Sequence, residues 1–412
     1  VRRVLVAGAG PVGLTAALTL ARGGVPVTVL EAGPALAVES RASTFHPPTL
    51  EMLAGLAVLD ELMARGLVVR TFQYRDRSGG PIATLDMGAL AGETPYPFRV
   101  QCEQSKLTPI LLDHLRRHGG EAAFGQEVRS VRSHPGGVVA TTAGGDTFTG
   151  DWLIGADGAH SAVRRALGIP FEGVTYPERF LVASTEEDVG DLLPDIEPIN
   201  YVFDPEEWLV LLRTPDHWRV LLPTPPGTPD EAELARLPAR LRSVADPGRD
   251  WEIAHASLYR VHQRVGARFR QGRTLLAGDA AHVNNPLGGL GMNSGIHDAV
   301  LLATALLSGL PPAARQGREA PRPAAPHRRR EDRTSRREEP ALPDRTVDEV
   351  AARRREVALT HVRPISHGNW ERLRAADPAA HHEELRALAA DPAATRAHLL
   401  RTCLISSLRE PP

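Results

Sequence analysis

The 412-residue sequence predicts an α/β fold in three parts: a doubly wound parallel-sheet domain, an antiparallel sheet inserted into it, and a helical tail. Three patterns carry this reading. An apolar run over residues 3–7 stops at glycines, an Ala- and Leu-rich stretch follows to about Arg22, and a second apolar run covers Val27–Leu30. Strand, tight turn, helix and strand in that order place parallel strands side by side. Residues 69–98 and 174–267 switch to short runs broken by Pro and Gly, such as 208–213 and 218–222, which suits an antiparallel sheet. Helical patterning returns at Val350 and continues in pieces to Leu408.

The remaining elements follow the same logic. Leu50, Leu53, Leu56, Leu59 and Leu62 are spaced for one amphipathic helix over 48–63, and 107–117 reads as another. Strand patterns of the first domain resume at Trp152 and again at Arg273. The boundaries expected are thus 1–68, 99–173 and 268–310 for a discontinuous Rossmann-like domain, 69–98 and 174–267 for the insert, and 346–412 for the helical region. Residues 311–345, crowded with Pro, Arg and Ala, read as a disordered segment, either an insertion or an out-of-frame stretch. A ligand cleft is expected where the two bodies meet.

Composition excludes several partners. The 48 basic and 50 acidic residues nearly cancel to a formal charge of -2, so no global field draws nucleic acid or an anionic membrane. Cys102 and Cys403 lie too far apart in sequence for a metal or redox pair spacing. No signal-peptide pattern and no apolar stretch long enough to span a bilayer is read, so a cytoplasmic protein without membrane insertion is expected. A homodimer is compatible with the sequence.

Three glycine-bearing signatures carry the chemistry. The first is Gly8-Ala9-Gly10-Pro11-Val12-Gly13 between strand and helix, with Glu31 closing the next strand. Gly8 allows the sharp turn, Gly10 lets backbone approach a pyrophosphate, and Gly13 lets helix and strand pack closely. The helix N-terminus offers N–H groups to phosphate, and Glu31 is placed to accept from a ribose. The second is the strand ending in Gly278-Asp279, followed by Pro286-Leu287-Gly288-Gly289-Leu290-Gly291-Met292-Asn293 and a helix. Its carboxylate suits a polyol, and its glycines expose N–H groups to a polarised ring carbonyl. The third is Asp157-Gly158 after an apolar strand, with Ser161 placed to cap the helix beyond.

Over residues 1–310 these motifs resemble the class A flavoprotein monooxygenases typified by para-hydroxybenzoate hydroxylase and the polyketide aromatic hydroxylases. The resemblance implies FAD, with Gly8, Gly10, Pro11, Val12, Gly13 and Glu31 on its ADP half. It also implies Asp279 beside Gly278 on the ribityl chain, and Pro286, Gly289, Gly291, Met292 and Asn293 in the loop under the flavin. Asp157 and Gly158 are associated with both FAD and NAD(P)H. Arg41 and Gln104 match flavin-contacting positions, and Val128 matches the residue whose backbone meets adenine. The implied reaction takes hydride from NAD(P)H, adds O2 to the flavin, and hydroxylates an aromatic substrate, phenolic or polyketide-like, through a flavin C4a-hydroperoxide.

No catalytic base is assigned; His46, His282 and Tyr201 are candidates. Tyr201, Phe203, Trp208, Leu212 and Trp218 are expected near the substrate, with alternation leaving only every second residue on the cleft face. Arg353-Arg354-Arg355 fits an arginine pair that the family carries on a later helix. A Baeyer-Villiger oxygenase on the same fold and a flavin-binding scaffold without turnover are the competing readings.

Overall fold

The computed structural model describes residues 3–39, 42–204, 206–309, 346–374 and 378–409. Its first sheet has six strands in the order Arg270–Gln271, Thr274–Leu276, Trp152–Gly155, Val4–Ala7, Val27–Leu30 and Glu121–Ala123. All neighbours run parallel except the first pair. Val4, Leu5, Val6 and Ala7 are all buried, because helices cover both faces of a parallel sheet. The helix Pro11–Arg22 packs between the sheet and the long helix Leu290–Ser308.

An eight-stranded sheet forms the insert. Its order is His282–Val283, Ile253–Gly266, Phe171–Thr185, Trp218–Pro223, Leu209–Arg213, Ile199–Phe203, Thr71–Asp76 and Gly80–Asp86. Pairing is antiparallel except between Ile199–Phe203 and Thr71–Asp76. The sheet begins at Phe171, ahead of the expected 174, and recruits His282–Val283 from beyond the Thr274–Leu276 strand. Two small antiparallel sheets complete the β structure. One joins Val128–His134, Gly137–Thr142 and Thr147–Gly150, which the sequence reading left unassigned. The other places Arg99–Gln101 between Thr44–Phe45 and Leu67–Val69.

The single helix expected over 48–63 is in fact two, Pro47–Gly55 and Leu59–Met63. Ala57 between them has a φ of +58°, a left-handed conformation no α-helix tolerates. Both halves still bury the predicted leucines.

Alternation settles which face of the large sheet meets the tail. Trp208, Val210 and Leu212 pack with Ile199, Tyr201 and Phe203 on one face; Leu209, Leu211, Val202 and Trp218 lie on the other, with Leu237 and Leu241 of the helix Asp230–Val244. The C-terminal helices Arg363–Leu373, Pro378–Ala390 and Pro392–Thr402 cover the Tyr201 face through Leu373, Leu385 and Leu399. Residues 311–345, expected to be disordered, lie outside the described residues.

The expectation of no span-length apolar stretch is corrected by Leu290–Ser308, which is long and apolar enough to cross a membrane. Two thirds of it is buried inside the protein, as suits a core helix packed on Pro11–Arg22.

Candidate active site

The three glycine signatures converge. Gly8 has a φ of +99°, and a Cβ added there would meet the carbonyl oxygen of Ala156 at 2.4 Å, one residue before Asp157. A Cβ on Gly278, where φ is +58°, would sit 2.9 Å from Val12. Each signature therefore touches the first one through a glycine that no other residue could replace without moving backbone or side chain.

Within the first turn the glycines differ in what surrounds them. A Cβ on Gly13 would fall 2.0 Å from the Gly8 carbonyl oxygen, so Gly13 is held by packing. Around Gly10 an added Cβ meets nothing within 4 Å, so its face is open to a ligand. Pro11 occupies the first helical turn, where a missing N–H costs nothing. Glu31 accepts from the Ala9 N–H at 2.6 Å and the Gly33 N–H at 2.9 Å, tying the glycine turn to the end of the neighbouring strand. Beside it, Gln126 N–H donates to the Glu31 carbonyl at 2.7 Å; Val128 follows two residues later with its side chain in the core.

Several of the expected cofactor residues spend their side chains within the protein. Asp157 Oδ1 accepts from the Ser161 hydroxyl at 2.5 Å and its Oδ2 from the Val163 N–H at 3.0 Å, while Ser161 caps the helix through the Arg164 N–H. The carboxylate organises its own turn. Gly158, with φ at +78° and open space about it, keeps the free face of that pair. Met292 packs into the main core. The Asn293 amide is fully committed: Oδ1 accepts from the His46 N–H and the Thr49 hydroxyl, and Nδ2 donates to the carbonyls of Thr44 and Gly289. Only the backbone of either residue remains for a ligand.

Asp279 is exposed, half-buried Pro286 opens the loop, and Gly288 and Gly289 have φ values of +101° and +66°. The 19-residue helix that follows has no side-chain cap and no acid in its first turn, so its N-terminal N–H groups and dipole are left for a ligand. Half-buried Gly291 sits 3.3 Å, as an added Cβ, from Asn284 Oδ1, a buried oxygen with no partner. Gln104 opens the helix Gln104–Arg117, and its N–H donates to the Ala42 carbonyl at 2.9 Å. Arg41, one residue before Ala42, lies outside the described residues.

The three base candidates separate. His282 donates from Nε2 to Asp298 Oδ2 at 2.9 Å, stacks on Phe269, and is buried with Arg354 against the same carboxylate; its role is structural. His46 is buried with Nε2 2.9 Å from the Gly288 carbonyl, which can only accept, so Nε2 carries the proton. Burial, then the charge of Arg99, hold His46 well below the ordinary histidine range. Tyr201 lines a small cavity together with Phe72, Tyr74, Arg99, His398 and Gly288. Burial raises its phenol, with Arg99 acting in the opposite direction.

That cavity joins the inserted sheet, the tail and the Pro286–Asn293 loop, and of its residues only Tyr201 and Gly288 belong to what the sequence singles out; Phe72, Tyr74, Arg99 and His398 do not. Arg99 is a charge inside a three-residue buried strand. His398 comes from the tail helix Pro392–Thr402, and nothing local in sequence points there.

The fold and these turns define a dinucleotide-binding flavoprotein: open backbone at Gly10 and Gly158, the exposed Asp279 and the uncapped helix all fit FAD. A family model described as FAD binding domain matches residues 2–318. The para-nitrophenol 4-monooxygenase of Pseudomonas sp. strain WBC-3 is 32% identical over 386 residues, covering 91% of this chain and 88% of that enzyme. The crystal structure of p-nitrophenol 4-monooxygenase from Pseudomonas putida DLL-E4 superimposes with a TM-score of 0.85 at 28% identity, covering both chains fully. A ternary complex of aklavinone-11 hydroxylase with FAD and aklavinone matches at 31% identity and a TM-score of 0.66, over 74% of this chain and 62% of that one. The chain belongs to the FAD-binding-domain family of aromatic hydroxylases, and it is an FAD-dependent monooxygenase.

Proposed function

We propose that this enzyme hydroxylates a phenolic ring bound at the Tyr201 cavity, which has room for about one water as it stands and must widen to admit the ring, using NAD(P)H as reductant and O2 as co-substrate. The observation that carries this is the cavity's position: its aromatic wall of Phe72, Tyr74 and Tyr201 meets Gly288, in the loop expected under the flavin. FAD, when bound, supplies the redox chemistry, accepting hydride and activating O2.

The protein's share is binding, charge and dryness. Gly10 and Val12 would present backbone to the pyrophosphate over the turn that Gly13 packs, Glu31 would offer the ribose the acceptor capacity left by its two N–H bonds, and Asp279 would take the polyol. The uncapped N-terminus of Leu290–Ser308 stabilises negative charge on the reduced ring. Residues 69–98 and 174–267 act as the substrate domain, with the tail helices closing the Tyr201 face against water. Tyr201 reaches both Arg99 and the Gly288 backbone, so its hydroxyl orients a phenolic oxygen between the cation and the loop.

The test is direct. Denaturing extraction should release FAD, phenols should accelerate NADH or NADPH oxidation, and product formed under labelled O2 should carry one labelled oxygen on the ring. A protein that holds FAD but shows no phenol-stimulated oxidation of either nucleotide would overturn the proposal. A ring-expanded product would replace hydroxylation by the Baeyer-Villiger reading.

A further inference from the structure

Arg99 is 3% exposed, and none of the ion pairs among the described residues includes it. Its Nε has no hydrogen-bond partner, and the groups it does reach carry no full charge: the Cys403 sulfur, 4.0 Å from Nη2 at the limit of contact, and the Tyr201 hydroxyl. The guanidinium lies over the Phe72 ring, 4.3 Å from its centre. Other buried arginines are provided for. Arg354 has Asp298, Arg240 has Glu207 and Glu233, Arg75 has the carbonyls of Pro194 and Asp195, and Arg164 those of Ala159 and Ala280. A buried cation without an anionic partner is strongly destabilising, so its retention needs a reason.

The charges around it share its sign. Arg372, Arg401 and Arg99 all act on both Tyr74 and His398. After burial, those three cations hold His398 down to about 4, so the imidazole is neutral at pH 7. A ligand entering this cavity meets aromatic faces, two phenol hydroxyls and one unmatched guanidinium.

We propose that Arg99 is the specificity-determining residue of the substrate cavity, selecting aromatic rings that carry a negatively charged oxygen substituent, a phenolate or a carboxylate. Such a substituent supplies the counter-charge the fold withholds, and a planar guanidinium grips it through two parallel N–H bonds. A neutral ring leaves the cation unpaired. The inference rests on the proposed aromatic hydroxylase reading and names its substrate class.

The experiment titrates the FAD-loaded enzyme with 4-hydroxybenzoate and its neutral isostere 4-hydroxybenzamide, and with 4-nitrophenol on both sides of its ionisation, following the flavin absorbance. Wild type is expected to bind at least one anion 10-fold or more tighter than its neutral counterpart. Arg99→Met should remove that preference through a 100-fold or greater loss for the anion and under 3-fold for the neutral ring; Arg99→Lys should recover part of it. A residue serving only the fold would lower the melting temperature of the ligand-free protein when removed. Arg99→Met should leave it at or above the wild-type value. Equal binding of charged and neutral rings by wild type, or an unchanged preference in Arg99→Met, overturns the inference while leaving aromatic hydroxylation intact. Failure of every phenol to bind, or to stimulate NADH or NADPH oxidation, overturns both.

Discussion

Arg354 Nε donates to Asp298 Oδ1 at 2.6 Å, with both side chains essentially unexposed and the two residues 56 positions apart in sequence. Asp298 Oδ2 also accepts from His282 at 2.9 Å and from the Gly278 N–H at 3.1 Å. One buried carboxylate thus joins the tail helix Val347–Val357 to the helix Leu290–Ser308 and to the glycine that packs on Val12. The arginine cluster Arg353–Arg355, read from sequence as a tail feature, has a physical function here.

Breaking that pair should be costly. Arg354→Met leaves the Asp298 charge buried with only His282 and a backbone N–H, a loss of about 3–5 kcal/mol in chemical denaturation at pH 7. Replacing both residues by apolar ones should cost less than the sum of the single changes. Burial pushes the Asp298 carboxyl up, but Arg354 and then His282 outweigh it and leave it below the ordinary aspartate value. The carboxylate's contribution is therefore full above about pH 4 and is lost as pH falls further, through the depressed folded value. Denaturation midpoints of wild type and Asp298→Asn should converge over that acid range.

Gly10 and Gly13, three residues apart, should fail in opposite ways. Gly13→Ala drives a methyl to 2.0 Å from a backbone oxygen and should destabilise the flavin-free protein by several kcal/mol. The Cβ of Gly10→Ala meets no protein atom within 4 Å, so the flavin-free melting temperature should hold while the FAD dissociation constant rises at least 10-fold. Equal loss of stability in both variants would contradict this division.

Local motifs were readable because their reasons are local. Gly8, Gly10 and Gly13 announce a turn within six residues, and strand and helix flank it at once. The leucines from Leu50 to Leu62 gave the buried face but not the break at Ala57, since periodicity records side chains and is blind to one residue crossing into the left-handed region. Arg99, Tyr201 and His398 belong to three segments spread over 300 residues. Only the closure of the tail over the inserted sheet brings them together, and no spacing rule anticipates that. His282 and Asn293 sit inside recognised motifs, yet their side chains turn inward to hold the loop rather than outward to a ligand.

Acid should weaken the protein through its buried histidines as well. Burial, then Arg354, holds His297 down to about 3, and burial with nearby arginines holds His398 to about 4. His46 is lowered by burial and then Arg99. All three stay neutral when folded and gain a proton when unfolded below about pH 6.5, so stability present above that value falls as pH drops. Each contributes a slope of about 1.4 kcal/mol per pH unit until its folded value is reached. His297→Gln should reduce the slope between pH 6 and 5 by about one such increment, read from urea denaturation at the two pH values.

Asn293 offers the sharpest test of which loop residues serve the fold. Its amide makes four hydrogen bonds, two accepted from His46 N–H at 2.8 Å and Thr49 at 2.6 Å, two donated to Thr44 and Gly289 carbonyls at 2.8 and 2.6 Å. Thr49 has spent its proton on Asn293, so His297 Nε2, 3.0 Å away, donates to the same hydroxyl and extends the network. Asn293→Ala strands a buried N–H and carbonyls, a cost of about 2–4 kcal/mol. Asn293→Asp keeps both acceptor contacts yet turns a charged oxygen toward two carbonyls, so it should be the less stable of the two. Asp279→Asn, on an exposed side chain, should do the reverse: little change in the denaturation midpoint of the flavin-free protein, and a weaker FAD complex by fluorescence titration. If Asn293→Ala matched Asp279→Asn in both measurements, the amide would have to face the cofactor after all.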